Sequence, residues 1–209
     1  MLKLKLILLT KFGPRTSLKT LPCHRLIFQN FCQRRMAWNK ALLKEMKESS
    51  IFEDNDISII RDKFAKAKHH FLVLSKIDIP NPLRLEKTHV SLLKKMESKG
   101  LEVVRDLTND DINYRLGYHA IPSMERLHLH IISDDFVAPA LKNKKHWNSF
   151  TTDFFIPSSE MISRLEKEGK ITLKQEYYKS LLLKPLKCHK CSFMPRNMPE
   201  LKDHLTKHT

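Results

Sequence analysis

The spacing of apolar positions changes several times along this chain, and each change marks an element. Trp38, Leu42, Leu43 and Met46 fall at three- and four-residue steps, which predicts a helix over 36–48 that stops by Ser49 and Ser50. Residues 57–60 and 70–74 are short β-branched or apolar runs and predict strands. The turn between them carries Asp62, Lys63 and Lys66. Ile79-Pro80-Asn81-Pro82 predicts a loop, because proline fixes φ and lacks an N–H. From 88 to about 106, Val90, Leu93, Met96, Val103, Val104 and Leu107 repeat at helical steps. Gly100 either interrupts that helix, at ~1 kcal/mol relative to alanine, or ends it. Residues 115–120 and 127–133 predict two more strands, separated by Ile121-Pro122-Ser123. Strands and helices mix without regular alternation, so the prediction is an α+β domain on an antiparallel sheet.

The strand Arg126-Leu127-His128-Leu129-His130-Ile131 concentrates the chemistry. Side chains alternate faces along a strand, so Leu127, Leu129 and Ile131 enter the core while Arg126, His128 and His130 share the other face. Two imidazoles and a guanidinium so spaced can surround one phosphate. Imidazole is also a nucleophile and proton carrier near neutral pH. His119 and Ser123 lie just upstream, where a hairpin brings them to the same anion. Taken alone, this pattern also fits incidental surface histidines or a pair of metal ligands.

The carboxyl-terminal stretch has a more specific pattern. Cys188 and Cys191, then twelve residues to His204 and three more to His208, give C-x2-C-x12-H-x3-H. Two thiolates and two imidazoles supply a tetrahedral zinc site, and the histidine spacing puts both on one helical face. Pro199 and Glu200 suit a first helical turn capped by Asn197. Pro195 stands where DNA-reading fingers carry an aromatic, so Phe193, Met194 and Leu201 are expected to form the small core. Lys190, Arg196, Lys202 and Lys207 can neutralise phosphates without reading sequence.

Composition narrows the classes further. The 209 residues carry a net charge of +15, which favours a polyanionic partner. A hydrophobic content of 41% is enough for a core. The polyanionic partner can be nucleic acid or an acidic membrane surface. No apolar run approaches the ~18 residues of a membrane helix, which excludes a helical membrane span, and the expectation is nucleic acid and no membrane. Four cysteines do not make a disulfide scaffold, and four glycines leave no glycine-rich phosphate loop. Eight lysines and arginines and no acid fall in residues 1–35, just over half the net charge. That segment reads as a mitochondrial targeting segment or as a disordered extension ahead of Met36. The expected division is 1–35, a catalytic domain over 36–180, and a zinc-finger module over 181–209.

The segment 117–124 (GYHAIPSM) and then 127–133 (LHLHIIS) resembles the catalytic strand of the aprataxin family, a DNA-repair branch of the histidine-triad superfamily. The stretches 61–67 (RDKFAKA) and 141–150 (LKNKKHWNSF) and the terminal finger extend the resemblance over about 36–208. It implies a histidine-triad domain with an antiparallel sheet and flanking helices, followed by a small Cys2His2-type finger holding one structural zinc ion. It implies a hydrolase that removes AMP from 5′-adenylated nicked or double-stranded DNA, the product of abortive ligation, as in single-strand break repair. His128 takes the place of the nucleophile that attacks the α-phosphorus and carries a His–AMP intermediate. By match, His130, His119, Ser123 and Lys145 bind the phosphoryl oxygens, Asp62 holds ribose hydroxyls and Lys63 flanks the nucleotide. No metal is needed for that chemistry. Trp38 reads either as a core residue of its helix or, as in the family, as an aromatic that stacks on the terminal base pair. Lys144 lies in a basic run at a phosphate-facing edge. Arg126 departs from the family's histidine; it cannot act as a base but can hold a phosphate by a bidentate contact. The forkhead-associated domain of vertebrate members is not recognisable. A nuclear location and a monomer are expected, with the mitochondrion as the alternative location. Two other functions stay open: a hydrolase of small adenosine phosphoramidates or dinucleotides, and an idle zinc-finger protein that binds DNA ends.

Overall fold

The computed structural model describes residues 43–109 and 112–208, so the expectations for residues 1–35 and for Trp38 lie outside the described residues. Among these residues six strands form one antiparallel sheet: β1 (Ser50–Glu53), β2 (Ile57–Arg61), β3 (His70–Ser75), β4 (Tyr114–His119), β5 (His128–Ser133) and β6 (Phe155–Pro157). Their order is β1-β2-β3-β5-β4-β6. The helices are α1 (Val90–Thr108), α2 (Lys144–Thr151), α3 (Ser158–Glu168), α4 (Gln175–Leu181) and α5 (Met198–Leu205). Residues 43–48 are also helical. The α+β class and antiparallel sheet read from the sequence are therefore present.

β3 and β5 lie at the centre and every residue in them is buried. The pleat divides their side chains. Phe71, Val73, Leu129 and Ile131 join the large core under α1. His70, Leu72, His128, His130 and Ile132 take the opposite face. Cross-strand pairing sets Leu72 beside His130, His130 beside Gly117, and Leu74 beside His128. A one-residue slip would exchange these faces, so burial of Leu129 and Ile131 in the large core fixes where the imidazoles stand.

Gly100 neither interrupts nor ends α1. It is the point where the helix meets the sheet, and a Cβ there would lie 2.7 Å from Val73 Cγ2 and 2.8 Å from Ile131 Cδ1. The helix ends at Asn109, a left-handed cap with φ 48° that returns its N–H to the Arg105 carbonyl.

The second face is closed by α2 and the finger together. Ile132, Phe136, Trp147, Phe150 and Phe155 pack in one cluster with Leu186, Leu201 and Leu205. The finger thus shares a core with the sheet instead of making its own. The expected finger core needs one correction: Met194 is 60% exposed, while Leu205 is buried in the same cluster as Leu201 and Pro195 is buried as well. Met194 stands in the open because apolar surface for the finger is already supplied by α2. Asn197 caps α5 as expected, its side chain accepting from the Glu200 N–H.

Candidate functional site

Four imidazoles meet on the second face of the sheet. His128 and His130 come from β5, His119 from the end of β4 and His70 from the start of β3. The His119 and His130 ring centroids are 4.4 Å apart, and those of His128 and His130 4.9 Å. Phe150 sits edge-on beneath, 4.6 Å from the His119 ring and 5.3 Å from the His130 ring.

Fixed backbone groups set the tautomers. A carbonyl only accepts, so the 2.5 Å contact between His128 Nδ1 and the Arg126 carbonyl puts the proton on Nδ1 and leaves the lone pair on Nε2. A backbone N–H only donates, so the 3.2 Å bond from the Lys66 amide to His70 Nδ1 puts the His70 proton on Nε2. That proton is donated to His130 Nδ1 at 2.9 Å. His130 in turn carries its proton on Nε2, which is buried and unpartnered, as is His119 Nε2. Two unpartnered imidazole nitrogens beside a third with a free lone pair call for a polar ligand.

Burial holds all four rings neutral. It pushes His70 down to about 4, although the Asp62 carboxylate, 3.3 Å from Nδ1, opposes the shift. Burial lowers His128 too, against the bond to the Arg126 carbonyl. His119 and His130 fall well below the usual imidazole range through burial, reinforced by the neighbouring histidines. A neutral His128 is the form that can attack an electrophile.

Three of these rings, His119, His128 and His130, open onto a cavity of about 480 Å3 whose wall also includes Ser123, Asp62 and Lys145. That brings together six of the expected site residues, with Lys66, Lys142 and His146 as further basic groups on the same wall. A larger groove of about 750 Å3 lies between the finger and the far end of β4 and β5. It is lined by mixed charges, Arg115, Lys184 and Lys187 with Asp134 and Asp153, and has no comparable imidazole cluster.

Two expectations are corrected. Arg126 is not on the strand face that holds His128 and His130. β5 starts only at His128, and the turn before it is tied to the β3 exit by Leu127 N–H to the Ile79 carbonyl at 2.7 Å. The guanidinium turns into that exit and donates to the carbonyls of Lys76 and Ile77 at 3.2 and 3.1 Å. Lys63 is not part of the cavity wall. Its ammonium is 3.8 Å from Glu45 and the side chain is 69% exposed. Lys66 occupies the wall instead, because the Asp62 side chain accepts the Phe64 N–H and turns the loop.

The other basic positions are also placed. Lys144 opens α2, exposed and off the cavity wall. Lys190 reaches the His208 carbonyl at 3.5 Å, and Arg196 lies exposed beside Glu200. Lys202 is half-buried and donates to the Ala138 carbonyl at 3.4 Å, so it links the finger to the sheet domain.

His70, Phe150 and Lys66 were not singled out as site residues from the sequence. His70 stood in a run read only as a strand. Its polar side chain at a position otherwise apolar was the available signal.

Cys188, Cys191, His204 and His208 converge as expected, with donor atoms within 4.8 Å of one another. Cys188 Sγ is 3.5 Å from His208 Nε2, Cys191 Sγ 3.1 Å from His204 Nε2, and the two Nε2 atoms 3.0 Å apart. Tetrahedral zinc with bonds of ~2.0–2.3 Å separates its ligands by about 3.3–3.8 Å, so the four residues fit the ion with small adjustments. His189 is not part of this set. Its ring packs on Phe136 and Trp147, and Nε2 donates to the Asp134 carbonyl at 3.0 Å.

Comparison with known proteins agrees with both halves. Residues 36–146 match the family model "Scavenger mRNA decapping enzyme C-term binding", and residues 151–209 match "C2HE / C2H2 / C2HC zinc-binding finger". The aprataxin of Danio rerio is 44% identical over 174 residues, 82% of this chain and 53% of that protein. The aprataxin-like protein of Schizosaccharomyces pombe is 35% identical over 77% of this chain and 75% of its own length. The structure of the aprataxin ortholog Hnt3 in complex with DNA superposes with a TM-score of 0.63 at 31% identity, covering 77% of this chain and 86% of that one. The chain spans 27–55% of the length of the fly, fish and chicken relatives it matches. The chain belongs to the aprataxin family of histidine-triad proteins.

Proposed function

We propose that this protein is a DNA-repair hydrolase that removes AMP from the 5′-phosphate of adenylated DNA. The observation that carries the reading is the His128 tautomer: Nδ1–H is committed to the Arg126 carbonyl, and a neutral Nε2 stands beside the unpartnered Nε2 atoms of His119 and His130 in a basic-walled cavity. His128 Nε2 attacks the α-phosphorus. The bond from that phosphorus to the 5′-phosphate oxygen breaks, and the DNA phosphate leaves without needing a proton at neutral pH. Water then attacks the phosphorus, the P–N bond breaks with its electron pair returning to Nε2, and AMP departs as the proton of the water passes to solvent. His130 donates Nε2–H to a non-bridging oxygen, held in aim by the His70 bond. Lys145, Lys66 and Ser123 line the side where negative charge builds, which is the main contribution a protein makes to phosphoryl transfer. Asp62 is the acceptor available for ribose hydroxyls.

DNA as the partner is supported by the +15 charge and by the relative solved with DNA. One structural zinc ion held by Cys188, Cys191, His204 and His208 keeps the finger in place; it is not needed at the phosphate. A nuclear location and a monomeric state belong to the same reading.

The test is single-turnover release of AMP from a nicked duplex carrying a 5′-adenylate, with wild type and His128→Ala side by side. Release by wild type, abolished in the variant, is expected. No release by a folded, zinc-loaded protein that still binds the nick sinks the enzyme reading.

A further inference from the structure

Arg126 stands at a position that the family resemblance usually gives to histidine, and its side chain acts outside the cavity. Nη1 lies 3.1 Å from the Ile77 carbonyl, 3.2 Å from that of Lys76 and 3.4 Å from that of Ser75. Nη2 is 3.4 Å from Asp78, whose side chain is 87% exposed. A pair with so exposed a partner holds weakly, so the carbonyls are the main hold on the guanidinium. They belong to the last residue of β3 and the two that follow it. This β3 exit is joined to the start of β5 by backbone bonds, Leu127 N–H to the Ile79 carbonyl at 2.7 Å and Ser75 N–H to the Leu127 carbonyl at 3.2 Å.

The other end of Arg126 is its own carbonyl, 2.5 Å from His128 Nδ1. One residue therefore grips the β3 exit with its side chain and the imidazole with its backbone. If that carbonyl drifts, nothing obliges the buried ring to keep its proton on Nδ1, and the lone pair is no longer confined to Nε2. A histidine at this position is too short, and has too few donors, to span three carbonyls.

We infer that Arg126 is a positioning residue for His128: by tying the β3 exit to the start of β5, its guanidinium fixes its own carbonyl against Nδ1 and keeps the nucleophilic lone pair on Nε2. The inference rests on reading His128 as the nucleophile. It predicts that the loss of a group remote from the phosphate slows chemistry and leaves binding alone.

The experiment uses Arg126→Met, which keeps the apolar stem, and Arg126→Lys, which keeps one donor. Two readouts are taken on the zinc-loaded full chain. The first is the tautomer of His128 by 15N NMR without substrate, assigned against His128→Asn. The second is single-turnover AMP release and KM on adenylated nicked DNA. Wild type is expected as the Nδ1–H tautomer. Arg126→Met is expected to give mixed tautomers and a rate lowered about 10- to 100-fold, the scale of a small misplacement of a reacting group. KM is expected to stay within about threefold, and Arg126→Lys to recover part of both losses. A folded Arg126→Met with an unchanged tautomer and rate overturns the inference. So does an unchanged tautomer with only KM raised, which would make Arg126 a binding residue. If Arg126→Met does not fold, Arg126→Lys and Arg126→Gln carry the same two readouts. Absence of AMP release by wild type, with the tautomer shift still present in the variants, refutes the proposed reaction and leaves the positioning intact.

Discussion

His70 makes the stability of this protein depend on acid, and the size of the effect follows from its burial. The ring is 4% exposed and its pKa is held at about 4, against 6.5 for an ordinary imidazole. Between those values the unfolded chain binds a proton that the folded chain refuses. The contribution of His70 is therefore fully present above pH 6.5 and is lost as pH falls from 6.5 toward 4. Integrated from pH 7.5 to 5.5, where the folded ring stays neutral, the loss is about 1.3 kcal/mol for this one group. His119, His128 and His130 are lowered too and add in the same direction. The perturbation is His70→Asn, whose amide oxygen can still accept the Lys66 N–H but which does not titrate. At pH 7.5 the variant is expected to be less stable by about 1–3 kcal/mol, because His130 Nδ1 loses its buried donor. Its stability should then fall less between pH 7.5 and 5.5 than that of wild type, by about 1.3 kcal/mol. Urea unfolding at both pH values in saturating zinc measures the difference, and subtracting the two proteins cancels the response of the finger ligands. Equal slopes in wild type and variant would refute the account of His70 as a buried neutral donor.

Two further perturbations probe the packing that holds the site. Gly100→Ala gains ~1 kcal/mol of helix propensity but drives a methyl into Val73 and Ile131, at a cost of about 1–3 kcal/mol. Because Val73 is branched at Cβ and cannot turn aside, a net loss near 1 kcal/mol is expected, and a raised melting temperature would contradict the close approach of α1 to the sheet. Removing zinc by chelation, or Cys191→Ser, is expected to lower a single unfolding transition of the whole chain rather than produce a separate finger transition. A distinct early transition by calorimetry, with the remainder unmoved, would show that the cluster from Ile132 to Leu205 is not one core.

What the sequence made legible follows from how locally each feature is encoded. The zinc ligands lie within 21 residues and are held by one helix and one turn, so their spacing alone locates them. His128 and His130 were legible because the apolar residues alternating with them, Leu127, Leu129 and Ile131, leave no choice of face. Arg126 was misplaced by the same rule. Alternation holds only inside a strand, and the turn that ends β5 at His128 is made by pairing with Ile79, 48 positions away along the chain. α2 was not legible because Asn143-Lys144-Lys145-His146 is too polar to show an apolar stripe. Its helix is set by the Asn143 cap on the His146 N–H and by two buried aromatics one turn apart. β6 has three residues, too few for any period to show.

α2 also explains why the finger and the imidazole cavity come as a pair. One side of this eight-residue helix gives the cavity Lys145, His146, Ser149 and Phe150. Its other side is bound to the approach to the finger. Trp147 Nε1–H donates to the Lys187 carbonyl at 2.9 Å, and the Asn148 amide donates to the carbonyls of Leu182 and Lys184 at 3.2 and 2.9 Å. Leu182 reaches the cavity wall itself. An isolated helix of this length is not stable in water, so its position is decided by what it packs against. The residue next to Lys187 is the ligand Cys188, and His189 beyond it is fixed to Asp134, just past the end of β5. Cys188 thus lies between a contact to α2 on one side and a contact to the residue after β5 on the other, so a zinc ion held there would steady both. The approach to the finger supplies Leu182 to the cavity wall, and the ligand-bearing residues hold that wall by way of α2.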